Sequence, residues 1–353
     1  MIISLHETYY PPDLCETKIM KLVEQKINAV SDLDKSLPVY LIMVQERYRY
    51  NYAKVINYAG FCLKEKGFNN IFVIADDVNR KCVHNYKDRE LSIDYFALKT
   101  NLLTFKNEQQ RINKVWNRHA SKALFLTGKA GKKHRVGLLS VFYDKKMMDC
   151  LTWSFYVNEG IIQEIKNLNY LSQYSQEQFN KFIRDCSRNP DNISIHMQPQ
   201  SSHYSGFPYD VSLYENTSIS VVSETYADME KTDLSWTTEK TWRPIVNKHP
   251  FILVAEPASR EKLLDLGFYF FDDFLLSTEN VSNLDDLFVQ IADNVQYFLN
   301  NKIRFSERIN HYVEHNFLKF SQYTDSQAQK LQSFLDKLNE TRYKPYDIIS
   351  EAG

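Results

Sequence analysis

Short, mostly apolar runs recur along this chain, and stretches of helical periodicity separate them. MIISL (1–5), VYLIM within 38–46, IFVIA (71–75), ALFLT within 122–127, SISVVSE (218–224) and PFILVAE (250–256) are each strand-sized. A run apolar on every residue suits a strand buried on both faces, and strands alternating with helices predict parallel sheets covered by helices. Residues 15–30 and 50–66 read as helices, the second stopped by Gly67, and 259–267 reads the same way with Gly267 as its stop. Residues 237–248 read as a helix, 158–188 as mostly helical, and 283–340 as two or three amphipathic helices. The aromatic stretch FYFFDDF (268–274) reads as a core strand.

The chain has 353 residues, a natural size for two domains. The expected architecture is α/β, with two Rossmann-like domains and a C-terminal helical tail. Its expected limits are 1–119, 120–300 and 301–353. The last helix is expected to reach back towards the first domain. Lys plus Arg number 43 against 44 Asp plus Glu, which argues against a uniformly basic nucleic-acid binder. The five cysteines are odd in number and show no C-x-x-C spacing, so a reducing compartment fits them. The start, MIISLHETYYPP, lacks the pattern of a signal peptide, and no apolar run reaches membrane-spanning length. A soluble, cytoplasmic protein is expected, in the host cytoplasm if a phage encodes it.

The segment SISVVSETYADMEKTDLSWTTEKTWRPIVNKHPFILVAE is the richest in chemistry. A strand ends at Ser223-Glu224-Thr225, and a helix opens near Thr238-Glu239-Lys240. Ligands of open α/β sheets bind beyond the carboxyl ends of strands, and a helix start offers unpaired N–H groups to phosphate. Lys240 and Arg243 add positive charge, Glu239 could accept from ribose hydroxyls, and Trp236 could stack on a base. A second reading stands beside this one. Thr237 or Thr238 caps the helix, Glu239 complements its dipole, and the two cations form a solvated face. The loop of LFLTGKAGKKHRVGLL (124–139) carries Lys129, Lys132, Lys133, His134 and Arg135. It admits three readings: a basic linker, a phosphate loop, or a DNA-contacting loop. It is not a Walker A motif.

S-E-T, W-T-T-E-K-T-W-R-P-I, H-P-F-I-L-V and L-G-F, in that order, resemble the donor half of GT-B glycosyltransferases. The likeness is greatest to the α-1,3-fucosyltransferase branch and related phage and bacterial enzymes, and it covers roughly residues 120–275. That branch has Glu-Asn-Ser at the strand end, where this chain has Glu224-Thr225-Tyr226. The resemblance implies a UDP- or GDP-sugar donor, no prosthetic group and a metal-independent mechanism. It also implies that Glu224 and Glu239 contact the sugar or ribose, that Lys240 and Arg135 contact the diphosphate, and that Trp236 lies against the base. The acceptor would be a glycan or small glycoside. Hydroxymethylated bases in DNA are the alternative acceptor, and a non-catalytic nucleotide-binding module is a third possibility.

Transfer to a hydroxyl needs a base. Glu7, Glu46, Asp76 and Asp77 are the candidates, each at or beyond a strand end in the first domain. Asp76-Asp77 also raises the rival of a metal-binding acidic pair. Asp32-Leu33-Asp34 falls between a helix and a strand and reads as a turn, Asp272-Asp273 lacks a metal context, and His311 and His315 read as surface or packing residues.

Overall fold

The computed structural model describes residues 2–4, 16–29, 32, 34–35, 39–43, 52–69, 71–76, 90–94, 96–98, 100, 115–127, 132–155, 173–188, 211–224, 227, 237–276 and 283–343. The chain is mixed α/β and divides into two compact units. One joins Met1–Leu98 to Tyr323–Gly353, and the other is Lys99–Gln322. Each contains a four-stranded parallel sheet.

In the first unit, β1 (Ile2–Ser4), β2 (Val39–Met43), β3 (Ile71–Asp76) and β4 (Glu90–Ile93) lie side by side in chain order. Leu41 pairs with Val73, and Ile74 with Leu91. A strand order that never reverses makes each right-handed crossover run the same way, which puts the connecting helices on one face. Accordingly the Glu16–Asn28 and Tyr52–Glu65 helices pack on each other, and the Tyr58 hydroxyl donates to Glu24. Val39, Leu41 and Val73 are fully buried, as their apolar runs require. Gly67 ends its helix at φ 87°, a conformation that costs a residue with a Cβ.

The long Ser306–Tyr343 helix supplies the rest of this unit with its second half. Asp94, just past β4, is buried. Its N–H donates to Gln327 Oε1 at 3.2 Å, and its carboxylate accepts from the Ala97 N–H at 2.8 Å and the Tyr323 hydroxyl at 3.1 Å. Phe334 meets Phe72 edge-on. Gln327→Ala therefore strands a buried N–H. The expected cost is about 1–3 kcal/mol of stability, read as a lower urea midpoint with unchanged slope; an unchanged midpoint would refute it.

In the second unit, β5 (Ala123–Thr127), β6 (Leu151–Phe155), β7 (Ile219–Ser223) and β8 (Phe251–Val254) are ordered β6-β5-β7-β8. The chain moves outward from β5 to β6, then returns across β5 to β7 and continues outward to β8. The order therefore reverses between β5 and β7. Helices Lys133–Asp144, Gln173–Arg188 and Glu239–Val246 make the three crossovers, and Pro257–Asp265, Leu284–Asn301 and the first half of Ser306–Tyr343 follow.

Residues before 120 also belong here. Trp116 Nε1 donates to the Ser218 carbonyl at 2.7 Å, and its ring packs against Phe298. The unit thus begins earlier than the expected limit at 120, and the expected tail divides between the two units.

The strand expected at 268–274 is not one. This segment ends in a single 3-10 turn, Asp272–Phe274. Both backbone groups of Tyr269 are taken by one side chain: Asn316 Oδ1 accepts its N–H at 2.7 Å and Nδ2 donates to its carbonyl at 2.9 Å. The apolar content is instead used for packing in several directions, Phe268 against Trp242 and Phe271 against both Phe251 and Tyr312.

Candidate functional site

The strand order reverses between β5 and β7, and the carboxyl ends of strands at such a reversal are the usual ligand position of an open parallel sheet. Two helix starts lie there, those of Lys133–Asp144 after β5 and Glu239–Val246 after β7. Glu224, the residue following β7, joins them.

Each polar group of Glu224 is engaged. Its N–H donates to the Val254 carbonyl of β8 at 3.0 Å. Its carbonyl accepts from His134 Nε2 at 2.8 Å and from Arg135 Nη2 at 3.3 Å. Its carboxylate faces the other helix: Oε1 accepts from the Thr238 N–H at 2.8 Å and the Thr241 hydroxyl at 2.6 Å, and Oε2 accepts from the Thr238 hydroxyl at 2.7 Å. Glu224 is wholly inaccessible to solvent.

Thr238 is the N-cap. Its Oγ1 accepts from the Lys240 N–H at 3.3 Å and from Lys240 Nζ at 3.0 Å while donating to Glu224. A hydroxyl offers one donor and two acceptor positions, and all three are in use. Lys240 Nζ also pairs with Glu239 Oε1 at 3.2 Å, and both side chains stay about a quarter exposed, 23% and 27%. Burial disfavours the Glu239 charge, but the Lys240 and Arg243 cations outweigh it and hold the carboxyl below the usual carboxylate range.

His134 and Arg135 open the neighbouring helix and are buried. Burial, with the Arg135 charge beside it, lowers the His134 pKa to about 3. The ring is therefore neutral, with the proton on Nε2 donated to Glu224. Arg135 turns its guanidinium to the Ser223 and Glu224 carbonyls, at 3.4 and 3.3 Å. It holds a fixed positive charge against the carboxyl end of β7. Among the described residues, the buried Ser223 Oγ and Thr237 Oγ1 find no hydrogen-bond partner. Such atoms call for a ligand or an ordered water.

The structure thus brings together Arg135, Glu224, Thr238, Glu239 and Lys240, with Arg243 one turn along the same helix. The capping reading of Thr238 holds in geometry alongside any ligand role. Trp236, Glu7, Glu46 and Asp77 lie outside the described residues, as does the 128–131 loop with Lys129. Asp76 is described only as the last residue of β3. Sequence reasoning missed His134 as a partner of Glu224, and Ser223, Thr237 and Thr241 as part of the same corner. The S-E-T and T-T-E-K-T spacing contains them, but only the fold sets them against each other.

His315 stacks on Tyr269 with centroids 3.8 Å apart, and its Nε2 donates to the Gly267 carbonyl, a packing role. Among the described residues, no three His, Cys, Asp or Glu side chains converge as metal ligands, and no helix is long and apolar enough to cross a membrane. No protein-family model matches the chain, and no curated protein matches it.

Proposed function

We propose that the Lys99–Gln322 unit binds a nucleoside diphosphate at the carboxyl ends of β5 and β7, as the donor part of a glycosyltransferase. The carrying observation is the reversal of strand order, which sets the Glu239–Val246 helix start, with Lys240 at its mouth, beside the end of β7. A helix N-terminus favours an anion by its exposed N–H groups and partial positive charge. Lys240 adds a full charge, Arg135 another from behind, and the buried Ser223 and Thr237 hydroxyls are suited to phosphate oxygens or to waters bound to them.

In sugar transfer the departing diphosphate gains negative charge as the glycosidic bond to it breaks. Fixed cations and amide dipoles stabilise that charge without rearranging during the reaction. The acceptor hydroxyl loses its proton to a base. The preferred acceptor is a glycan or small glycoside.

Calorimetric titration with UDP, GDP, dTDP and ADP, with and without Mn²⁺, tests the reading. One diphosphate is expected to bind selectively without metal. Lys240→Ala is expected to weaken it by about tenfold or more, the worth of a charge-assisted contact. Turnover of the matching sugar nucleotide should fall in parallel. Binding by none of the four would refute the proposal; binding without transfer or hydrolysis would leave a nucleotide-binding module in its place.

A further inference from the structure

We propose that Glu224 is a positioning residue, one that never touches the donor and instead sets Lys240 and the first turn of the Glu239–Val246 helix for phosphate. The proposal rests on the nucleotide reading above. It differs from what the family resemblance implies for this residue, which is a direct contact with the sugar or ribose.

Three observations carry it. The carboxylate is wholly inaccessible and already accepts three hydrogen bonds, all from protein groups. Two of those bonds join the residue after β7 to the residue that caps the helix, 14 positions later, and the third comes from Thr241 in its first turn, so Glu224 clasps the end of β7 to the helix start. The clasp continues to Lys240 through one atom. Because Thr238 Oγ–H is committed to Glu224 Oε2, its two lone-pair positions are left for the Lys240 N–H and Nζ. The backbone of Glu224 is held as firmly, by β8 on one side and by His134 and Arg135 on the other.

Glu224→Gln keeps the shape and breaks the logic. An amide has one acceptor oxygen and one NH₂ group. If the NH₂ faces Thr238 Oγ1, that hydroxyl must accept from it and give up one of its contacts to Lys240. If the NH₂ takes the Oε1 position instead, it confronts the Thr238 N–H, which cannot reverse. The first arrangement loosens Lys240 directly and the second does so by displacing the Thr238 cap that holds it, in neither case by removing a ligand-contacting atom.

The test measures dissociation constants for pyrophosphate, UDP, UDP-glucose, GDP and GDP-mannose, well below the melting temperature, in the wild type, Glu224→Gln and Thr241→Val. Thr241 is fully buried and the one proton of its hydroxyl goes to Glu224, so its variant loosens the clasp from the far side. The expected result is a loss of about tenfold for Glu224→Gln, equal for a diphosphate and its sugar derivative, with a smaller loss in the same sense for Thr241→Val. Weakening of the sugar nucleotide alone means direct sugar contact and overturns the proposal. A lower melting temperature with unchanged dissociation constants means a purely structural role and overturns it too. If the wild type itself binds none of the probes, the nucleotide reading fails first and this inference with it. Wild-type binding that both variants retain removes this inference alone.

Discussion

Gly137→Ala is expected to destabilise the Lys99–Gln322 unit by about 3 kcal/mol, although alanine is the better helix former by about 1 kcal/mol. The reason is distance. A Cβ at 137 would lie 2.1 Å from Cε2 and 2.5 Å from Cδ2 of Phe288. Phe288 is itself almost fully buried on the Leu284–Asn301 helix, so its ring has no open side to move into. Close-packed interiors respond to an added carbon with backbone shifts and off-rotamer side chains. His134 and Arg135 lie in the first turn of the helix that must shift, and both hold the Glu224 carbonyl, so damage to packing should also reach the end of β7. Urea unfolding checks the cost. The double variant Gly137→Ala/Phe288→Leu checks the cause, because its loss should be smaller than the sum of the two single losses. Additive losses would mean that the ring is not what excludes the methyl group.

Much of this fold was legible because local chemistry and global packing agree. The runs at 71–76, 219–223 and 251–254 are parallel strands, the second buried at every residue, and Gly67 and Gly267 stop their helices at φ 87° and 83°. The Glu239–Val246 helix could be read from its cap and its T-E-K start. β6 could not, since Leu-Thr-Trp-Ser-Phe is short and half polar and becomes a strand by pairing with β5. The 268–274 stretch misled for the opposite reason. Its composition suits a strand, yet the amide of Asn316 occupies the backbone positions that a neighbouring strand would need. The same limit applies to the site. The sequence offers Glu224, Thr238 and Thr241 as polar residues near a helix start, but their mutual hydrogen bonds arise only when the connection between them closes. Nor does spacing say that Arg135 faces backbone carbonyls.

Acid should act on this protein well above the pH at which carboxylates titrate. His134 and His249 are both about 2% exposed, and burial is the leading cause that lowers their pKa values, to about 3 and about 4. His249 is held neutral between the Thr217 carbonyl, at 3.0 Å from Nε2, and the Ser220 hydroxyl, at 3.0 Å from Nδ1, with Tyr214 edge-on to its ring. In the unfolded chain both imidazoles titrate near about 6.5. The unfolded state therefore binds two protons that the native state refuses. Their contribution to stability is intact above about pH 6.5. It is lost as the pH falls from there towards the folded values, with a limiting slope of about 2.7 kcal/mol per pH unit for two groups. Glu239 adds to the same trend lower down, because its folded carboxyl is depressed by Lys240 and Arg243 and its contribution disappears only when it too is protonated. Urea midpoints measured from pH 7.5 to 5 should fall steadily, and His249→Gln should about halve the slope between pH 6 and 5 while lowering stability at pH 7.5. A midpoint that stays flat across this range would mean that the two rings take up protons in the native state, and that the buried, uncharged His134 drawn beside the Glu224 carbonyl is wrong.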